Sequence, residues 1–493
     1  MVSEFPILSA DEAAAFIPNG AWVACSGFTS AGSVKSIPLA LARRATELHQ
    51  KNQAFSIHLL TGASSHEAVD GALMQAQAVT YRAPYQSHPA MRIAINQGNV
   101  AYREEHLSHF PQSIRSGIMG PLDYALVEVA DYTPDGRLTL TASVGATPTF
   151  CQCAKHIILE HNPYHAPLKG VHDIYEPNRY PPYDIIRITK PNDRIGTTQL
   201  TVDPRKILGV VETYQSEQNP EFKPIDTVFQ RIGERVVEFL QQEMRVGRIP
   251  QSFLPVQSGV GNIANAILKV MGTNPAIPTF QVYTEIAQDA MFDLMKQGKV
   301  SFISTCGVYV TDGYQKELYS NWSCYQNRLI LRPQEISNHP EVIRRLGLLS
   351  FNSALEVDLF GNVNSTHVQG TQAVNGIGGS GDFARNSFLS VFTLQSTAKS
   401  GAISNIVPFC SHIDHTEHDT QIIVTEYGCA DLRGKSPEQR AKAMIACAHP
   451  DYRPILQSYL KQAQQGHIGH NLSNAFALYQ AYQATGDMRN VNF

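Results

Sequence analysis

A glutamate and a glycine-rich turn are spaced so that they could act together in one reaction. Glu285 follows an apolar run, 278–284, and precedes a segment with helical character, 286–300. The turn lies upstream at 259–264 and reads Gly-Val-Gly-Asn-Ile-Ala. A turn of this type followed by an acid fits a dinucleotide site, in which the acid holds a ribose hydroxyl. It also fits a turn that binds a phosphate-bearing carrier beside a carboxylate that acts as a covalent nucleophile.

The turn itself favours an anion but does not identify it. A helix is predicted over 263–271, and the free N–H groups at such a helix start attract phosphate or carboxylate. An ordinary tight turn into a helix explains the pattern equally well. The segment before the turn, 253–256, is short and contains Pro255, and a dinucleotide fold needs a clear strand there. The dinucleotide interpretation is weakened for that reason.

Glu285 also has an ordinary structural explanation. An acid between a strand and a helix most often caps the helix or interacts favourably with its dipole. The predicted helix 286–300 is strongly apolar on one face, so its start should be partly buried. Burial would desolvate the carboxylate and alter both its pKa and its reactivity. We therefore treat Glu285 as a candidate reactive group.

A second glycine-rich segment lies at 375–383 and reads Asn-Gly-Ile-Gly-Gly-Ser-Gly-Asp-Phe. Its glycines leave backbone amides unshielded, which suits a nest for an oxyanion or a phosphate. A mobile surface loop is the alternative. The apolar neighbours Val374, Ile377 and Phe383, followed by the strand-like run 388–392, favour an ordered nest.

Two further segments have structural interpretations on their residues alone. Asn338 to Glu341 has the pattern of a helix start, with asparagine as N-cap and glutamate reaching back. The histidine-rich run 411–418 has the spacing His-x-x-His-x-x-His, which places no pair at the i, i+4 separation of a helical zinc site. We therefore predict capping at the first segment, and no metal at the second.

Composition limits the class of protein. The chain has 493 residues, more than one hydrophobic core usually serves, and it is 43% apolar and 17% charged. A net charge of −4 gives no electrostatic case for binding nucleic acid or an anionic membrane. Eight cysteines without a CxxC pair indicate reduced thiols, and neither a targeting segment nor a membrane-spanning run is recognisable. A cytoplasmic protein is expected.

Short β-branched runs alternate with helical patterns along the chain, which is typical of α/β architecture. Helices are predicted at 37–49 and 227–244, with a linker at 214–226. The strands are predicted at 22–25, 56–60, 124–129, 156–160, 184–188, 207–212, 280–284, 301–305, 328–331, 346–351, 406–409 and 422–425. Both halves share a strand, a glycine turn and a helix, at 26–28 and 258–260. We predict two related open-sheet α/β domains, 1–215 and 225–493, with a cleft between them.

Several of these segments together resemble a known family. The segments 256–264, 283–285, 332–338 and 375–383, with 26–29 and 81–86 in the first half, are similar to the acetyl-CoA hydrolase/transferase family of class I CoA-transferases. The similarity runs nearly end to end. The resemblance implies domains of the NagB/CoA-transferase type, with the active site in the cleft between them.

The resemblance also implies a reaction. Glu285 would attack an acyl-CoA thioester, and CoA would then become bound to the enzyme as a glutamyl thioester before transfer to a small carboxylate. Oxyanion donors would be the side-chain amide of Asn338, which overturns the capping interpretation, and the backbone N–H of Gly379. The implied reactions are of the propionyl-CoA:succinate or succinyl-CoA:acetate type, with acyl-CoA, succinate, propionate and acetate as partners. CoA is implied as a substrate and not as a permanently bound cofactor.

Further residues follow from the same resemblance. Arg194 would bind the carboxylate substrate, and Glu426 would line the same pocket. CoA would lie along Val260, Gly261, Asn262, Ile263, Ala264, Leu355, Asn375, Gly379 and Lys399. A homodimer or a dimer of dimers is implied.

Three alternatives remain at this level. An acyl-CoA hydrolase would use the same site if water reached the thioester. An NAD-dependent oxidoreductase would use the glycine turn, and a ligand-binding relative would keep the domains without catalysis. The nest at 376–381 and the segment around Asn338 have no role in the last two.

Overall fold

A computed structural model describes residues 5–63, 66–222 and 224–493. Two large, mainly parallel β-sheets organise the chain, one in each half. Their strands are almost continuously apolar and buried, as expected where helices cover both faces of a parallel sheet. One apolar cluster includes residues from both sheets, so the two halves pack against each other directly.

The first sheet is built from the first half of the chain. Its main path, from edge to edge, is Ile7–Leu8, Ile207–Glu212, His156–His161, Tyr124–Tyr132, Trp22–Cys25, Ile57–Thr61, Val79–Ala83 and Ala101–Tyr102, all pairing in parallel. Arg137–Leu140 pairs antiparallel with Tyr124–Tyr132 and with Leu200–Thr201.

The second sheet is built from the second half. Its path is Leu329–Leu331, Val300–Thr305, Phe280–Tyr283, Val256–Ser258, Leu349–Ser353, Leu389–Thr393, Ile422–Thr425 and Gly428–Asp431, and only the last strand is antiparallel to its neighbour. The shorter strands are Ile286–Ala287 with Gly307–Val308; Val363–Asn364, Glu356–Asp358 and Ile406–Val407; His367–Val368 with Gln372–Ala373; and Thr397–Ala398 with Ile403–Ser404.

The two sheets share one strand order. In the second sheet the first strand in the chain, Val256–Ser258, is central, and in the first sheet only the edge strand Ile7–Leu8 precedes the central strand Trp22–Cys25. The next three strands add successively on one side, and the following three add on the other. The chain order therefore reverses beside the central strand, which is where ligands bind in open α/β sheets. The prediction of two related α/β domains is confirmed.

Helices connect and cover the strands. They are Ala10–Ala15, Ser36–Gln50, Ala72–Gln75, Pro89–Asn96, Phe110–Arg115, Thr147–Cys153, Thr227–Arg245, Asn262–Thr273, Asp289–Lys296, Asp312–Ser320, Gln334–Ser337, Pro340–Leu346, Ser380–Asn386, Pro437–Cys447, Arg453–Lys461 and Ala477–Thr485. In the described part of the chain, no helix has the length and hydropathy needed to cross a membrane.

The segment predicted as a linker, 214–226, has no helix or strand in its described residues. It nonetheless packs tightly between the halves. The buried side chain of Asn219 accepts a hydrogen bond from Ser30 and donates one to the carbonyl of Val310. The domain limits at 215 and 225 stay a prediction.

Two local predictions are wrong. The segment 184–188 forms no strand, and its buried Ile186 and Ile188 pack instead in a small apolar cluster beside Tyr283. The helix predicted from 286 begins only at Asp289, because Ile286–Ala287 pairs as a short strand. Glu285 therefore lies between two strands and not at a helix start.

Candidate active site

The carboxyl ends of the two parallel sheets face each other across a cavity of about 190 Å³. From the first half, Phe28, Thr29, Ala63, Tyr85 and Leu107 line it. Most of these residues come shortly after successive strands of the first sheet. The cavity thus lies between the two domains, as predicted for the active site.

The second half lines the cavity in the same way. Gly259 and Val260 follow the central strand Val256–Ser258, and Glu285 follows the adjacent strand Phe280–Tyr283. Asn352 and Ser353 end the strand on the other side of the central one. These strands flank the point where the strand order reverses, so topology alone brings the glycine turn and Glu285 together.

The backbone of Glu285 is held rigidly by the neighbouring strand. Its carbonyl accepts hydrogen bonds from the N–H groups of Cys306, at 2.9 Å, and Gly307, at 3.1 Å, and from the Thr305 hydroxyl, at 2.9 Å. The side chain of Gln288 donates to the carbonyl of Gly259 over 2.9 Å, which ties this segment to the glycine turn. The half-buried carboxylate is therefore presented to the cavity from a fixed position.

The carboxylate of Glu285 meets the side chain of Asn338. Asn338 is fully buried, and its Nδ2 donates to Oε1 of Glu285 over 2.7 Å and lies 3.4 Å from Oδ2 of Asp382. Because both neighbours are acceptors, the amide must turn its nitrogen towards them. Its Oδ1 has no partner among the described residues. The N-cap of the helix Pro340–Leu346 is His339, so the prediction that Asn338 caps that helix is wrong.

Gly379 leaves no space for a side chain at the same point. A Cβ built there would lie 1.9 Å from Oε1 of Glu285 and 2.2 Å from Nδ2 of Asn338. The backbone of the nest therefore touches the carboxylate and the amide that contacts it. Tyr85 and the Tyr102 hydroxyl press against Gly376 from the first half, so the nest is an ordered wall of the cavity.

Asp382 supports this arrangement from behind. It is buried, and it accepts hydrogen bonds from the backbone N–H of Ser108, at 3.1 Å, and from its hydroxyl, at 2.6 Å. It thereby links the amide of Asn338 to the first half of the chain. In the sequence, Asp382 stands out only as part of the glycine segment. Its partner is so distant in the chain that no local pattern marks it.

The segment that carries Asn338 is also fixed by the first half. Arg115 forms a bidentate ion pair with Glu335, with distances of 2.7 and 2.6 Å. The side chain of Gln334 donates to the carbonyl of Leu107 over 3.2 Å, and its backbone N–H donates to the carbonyl of Gly145 over 3.0 Å. Asn338 is thus positioned by contacts that exist only when the two halves are assembled.

The two acids of the site have raised pKa values. Burial raises the pKa of Glu285 to about 7, and the hydrogen bond from Asn338 opposes this rise. Burial raises the pKa of Asp382 to about 7 as well; its bonds from Ser108 lower the pKa and the nearby charge of Glu285 raises it. Desolvated acids in a cleft with a specific donor are typical of catalytic sites.

The glycine turn is open on its outer side. Gly261 has a φ of 124°, which glycine alone adopts readily, and a Cβ built there would meet no atom within 4 Å. Asn262, Ile263 and Ala264 begin the helix Asn262–Thr273, and Val260 is 48% exposed beside the cavity. The turn can therefore receive an anionic group at the helix start.

The strand that the dinucleotide interpretation required is present. Val256–Ser258 begins directly after Pro255 and lies in the centre of the sheet. The weak strand prediction at this point was therefore wrong, and the glycine turn alone does not separate the two chemistries. Glu285 also contacts Asn338 and Gly379, and a ribose-binding acid requires neither contact.

Of the other residues that the resemblance implies for CoA binding, some line the cavity and some do not. Asn375 lines the cavity, and its buried Oδ1 has no partner among the described residues. Leu355 and the exposed Lys399 are absent from the described residues that line it. Their roles in binding CoA stay a prediction.

Arg194 and Glu426 are not brought to the cavity. Arg194 is exposed, donates to the carbonyl of His172 over 2.9 Å, and lies at a separate depression with Arg187 and Asp184. Glu426 is buried, and its carboxylate accepts from the backbone N–H and the hydroxyl of Ser396. In this structure, neither residue makes the contacts with Glu285 that Asn338 and Gly379 make.

The fold matches solved structures of low sequence identity. RipA from Yersinia pestis superposes with a TM-score of 0.72 at 20% identity, covering 92% of this chain and 97% of that one. A 4-hydroxybutyrate CoA-transferase from Porphyromonas gingivalis gives a TM-score of 0.63 at 23% identity over 92% and 97% of the two chains. These likenesses define a two-domain α/β protein of the CoA-transferase fold.

Sequence comparison identifies the family. The acetyl-CoA hydrolase/transferase N-terminal domain matches residues 4–212, and the C-terminal domain of the same family matches 314–460. The propanoyl-CoA:succinate CoA transferase of Escherichia coli (strain K12) is 46% identical, covering 99% of this chain and 100% of that protein. The succinyl-CoA:acetate CoA-transferase of Clostridium kluyveri is 40% identical, over 98% and 90% of the two chains.

A third relative carries a different activity in its name. The acetyl-CoA hydrolase of Neurospora crassa is 38% identical, over 97% of this chain and 94% of that protein. The chain therefore belongs to the acetyl-CoA hydrolase/transferase family and is an enzyme of that family. Glu285 falls outside both segments that the family domains match, which are 4–212 and 314–460. The alignment with the Escherichia coli relative is longer and covers 490 residues, nearly the whole chain.

Proposed function

We propose that this enzyme transfers CoA from an acyl-CoA to a small carboxylate, in a reaction of the propionyl-CoA:succinate or succinyl-CoA:acetate type. The observation that carries the proposal is the contact of the half-buried carboxylate of Glu285 with the Asn338 amide and the Gly379 backbone. A carboxylate held in this way can act as a nucleophile. Once it is acylated, its carbonyl group lies beside hydrogen-bond donors that can stabilise an oxyanion.

In the first step, a carboxylate oxygen of Glu285 attacks the thioester carbonyl of the acyl-CoA. The C–S bond breaks, CoA leaves as a thiolate, and an acyl–glutamyl anhydride forms. A thiol has a pKa of about 8.5, so the thiolate leaves without a strong general acid. This step of the reaction therefore depends more on stabilising an oxyanion than on a proton donor.

In the second step, the thiolate attacks the glutamyl carbonyl of the anhydride. The donor's carboxylate leaves, and CoA remains bound to Glu285 as a thioester. An acceptor carboxylate then reverses both steps and departs as the new acyl-CoA, which restores Glu285. No proton or water is consumed over the cycle, consistent with a site built from amide donors.

Each tetrahedral intermediate carries a negative oxygen that must be stabilised. The Asn338 amide already lies 2.7 Å from Oε1 of Glu285, so it is placed to donate to an oxyanion formed on the glutamyl carbon. The backbone N–H of Gly379 is the second proposed donor. Removing a single preorganised donor of this kind lowers turnover about 10²–10³-fold.

CoA is proposed to lie along the turn Val260–Ala264, with Leu355, Asn375 and Lys399 as further contacts. A cavity of about 190 Å³ is large enough for the reacting end of the substrates but not for the whole of CoA. The nucleotide end would therefore lie outside, where Gly261 and the helix start are open. Arg194 is retained as the proposed contact for a carboxylate substrate, with Glu426 in the same pocket; both would require movement from their present positions.

An acyl-CoA hydrolase is the second candidate, since the Neurospora crassa relative carries that name. The same glutamyl thioester would be hydrolysed if water entered the cavity. Exclusion of water by the two facing domains therefore decides between the activities. The NAD-dependent alternative has no support in the family.

The proposal extends to assembly and location. A homodimer or a dimer of dimers is proposed from the family resemblance. A cytoplasmic location is proposed because all eight cysteines are free, and most are buried. No permanently bound cofactor is proposed.

One experiment separates transfer from hydrolysis. The enzyme is incubated with propionyl-CoA or succinyl-CoA, with and without succinate or acetate, and acyl-CoA products and free CoA are quantified by chromatography. We expect formation of the acceptor's CoA ester to exceed release of free CoA at saturating acceptor. Release of free CoA that is independent of acceptor, with no new ester, would instead establish the hydrolase.

A further inference from the structure

Beside the cavity, the fold assembles a glutamate and two histidines from three distant segments. Ligand atoms of Glu104, His367 and His412 all lie within 4.8 Å of one another. Glu104 comes from the first half of the chain, and the histidines come from the second. The imidazole rings lie 4.1 Å apart, centroid to centroid, at 42°. The histidine spacing within 411–418 does not indicate this cluster, because His412 meets Glu104 and His367 only in the folded chain.

The hydrogen bonds leave one lone pair free on each of these side chains. The Thr366 hydroxyl donates to Asp414, at 2.9 Å, so it accepts from Nδ1–H of His367, at 2.7 Å. His367 then carries its unshared pair on Nε2. His412 donates through Nε2 to Asp414, over 3.2 Å, which leaves the unshared pair on Nδ1.

Asp414 thus contacts His412 directly and is linked to His367 through the Thr366 hydroxyl. Its carboxylate also accepts from the backbone N–H of Ser365, at 2.6 Å, and its side chain is only 4% exposed. A carboxylate that orients histidines from behind is the usual outer support of a metal site, because it fixes the tautomer and makes the ring more basic. Glu104 uses one oxygen to accept from the N–H of Ile377 and keeps the other for a ligand.

The local charge favours a cation. The carboxylates of Glu104 and Asp414 both lie beside this histidine pair. A second cluster with similar spacing, Glu128, His165 and Glu217, differs because Lys35 already lies 2.6 and 3.0 Å from its two acids. In the Glu104 cluster, no described lysine or arginine forms an ion pair with these acids.

From these contacts we propose that Glu104, His367 and His412 bind a divalent transition metal. Two imidazoles and one carboxylate, with a water molecule completing the coordination, suit Zn²⁺ better than Mg²⁺ or Ca²⁺, which prefer oxygen ligands. The ion joins the two halves of the chain. It also fixes the nest, since Glu104 holds Ile377 two residues before Gly379.

The hairpin that carries His367 is suited to such a link. Its strand Gln372–Ala373 is held by Asn96 of the first half, whose amide exchanges hydrogen bonds of 2.9 and 2.8 Å with the backbone of Ala373. The ligands are therefore anchored on both sides before a metal binds. A preformed site of this kind needs little rearrangement to accept the ion.

Zinc titration tests the proposal directly. The full chain is stripped with a chelator, dialysed, and titrated with Zn²⁺ in competition with a chromophoric chelator. We expect one equivalent per chain, at least tenfold weaker binding in His367→Gln, His412→Gln and Glu104→Gln, and about 10–100-fold weaker binding in Asp414→Asn. His418→Ala is the matched control, because His418 is exposed in the same run and lies outside the cluster.

A second readout separates loss of the site from loss of the fold. The melting temperature of each variant is measured in chelator and again with Zn²⁺. Zinc should raise the melting temperature of the wild type and of His418→Ala, and should leave that of the ligand variants unchanged. Absence of zinc binding by the folded wild type, or wild-type binding by His367→Gln and His412→Gln, would overturn the proposal.

Discussion

Ser108 of the first half donates both its backbone N–H, over 3.1 Å, and its hydroxyl, over 2.6 Å, to the buried carboxylate of Asp382 in the second half. Asp382 in turn lies 3.4 Å from the amide nitrogen of Asn338, which contacts Glu285. The orientation of the proposed oxyanion donor therefore depends on a contact between the two domains.

Replacing Asp382 with asparagine should lower turnover by loosening Asn338. Loss of a hydrogen bond to a charged group costs about 1.5–3 kcal/mol, which is roughly a tenfold to hundredfold change in rate. Because Asp382 does not line the cavity, kcat should fall while KM for the acyl-CoA stays near the wild-type value. Steady-state kinetics check this, with the exposed Asp451→Asn as control. An unchanged kcat in Asp382→Asn would remove this positioning role.

Replacing Asn338 with alanine should have a larger effect. The variant removes an amide that lies 2.7 Å from the carboxylate, and the loss of one oxyanion donor lowers turnover about 10²–10³-fold. Asn338→Asp should be at least as damaging, because a second negative charge beside Glu285 disfavours its ionised form. Single-turnover rates with an acyl-CoA measure both variants. Near wild-type rates in Asn338→Ala would show that this amide is not a donor in the reaction.

The rate of acylation should depend on pH through Glu285. Burial raises its pKa to about 7, and only the ionised carboxylate is a nucleophile. The single-turnover rate should therefore rise with pH and level off above about 7. Asn338→Ala should move the midpoint upward, because the hydrogen bond that favours the charged form is lost. A rate that is flat between about pH 6 and 8, roughly one unit either side of that pKa, would contradict a raised pKa.

Stability should change with pH in the opposite sense. Glu285 keeps its proton in the folded state up to a pH of about 7, whereas the unfolded side chain loses it near 4.5. Between these values the folded state binds more protons, so the free energy of unfolding falls as pH rises, by at most about 1.4 kcal/mol per pH unit for one group. Glu285→Gln should remove this contribution. Denaturant unfolding of both proteins at pH 5 and pH 7.5 is the measurement, and identical pH slopes would contradict it.

Sequence patterns predicted several interior strands well, although not the central strand Val256–Ser258. Strands at Trp22–Cys25, Ile207–Glu212 and Ile422–Thr425 have the predicted limits, because strands buried on both faces are continuous apolar runs. The edge strand Ala101–Tyr102 was missed because two residues carry no periodicity. The run after Glu285 was misread, because Ile286 and Ala287 fit a helical apolar face as well as a strand.

The site was predictable only in part. Glu285, Gly379 and the glycine turn are marked by local patterns or by the family resemblance. The partners of Asn338 and Asp382 lie far along the chain, and their side chains meet only after both sheets have formed. For the same reason, the sequence of 411–418 does not indicate that His412 lies close to Glu104 and His367 in the folded chain.

The covalent state of Glu285 during turnover tests the proposed reaction. The enzyme is incubated with an acyl-CoA, digested, and analysed by mass spectrometry, with Glu285→Ala and the exposed control Glu438→Gln treated in parallel. We expect CoA attached through a thioester at Glu285 in the wild type and in Glu438→Gln, and neither adduct nor turnover in Glu285→Ala. An unmodified Glu285 in a wild type that turns over, or full turnover by Glu285→Ala, would contradict it.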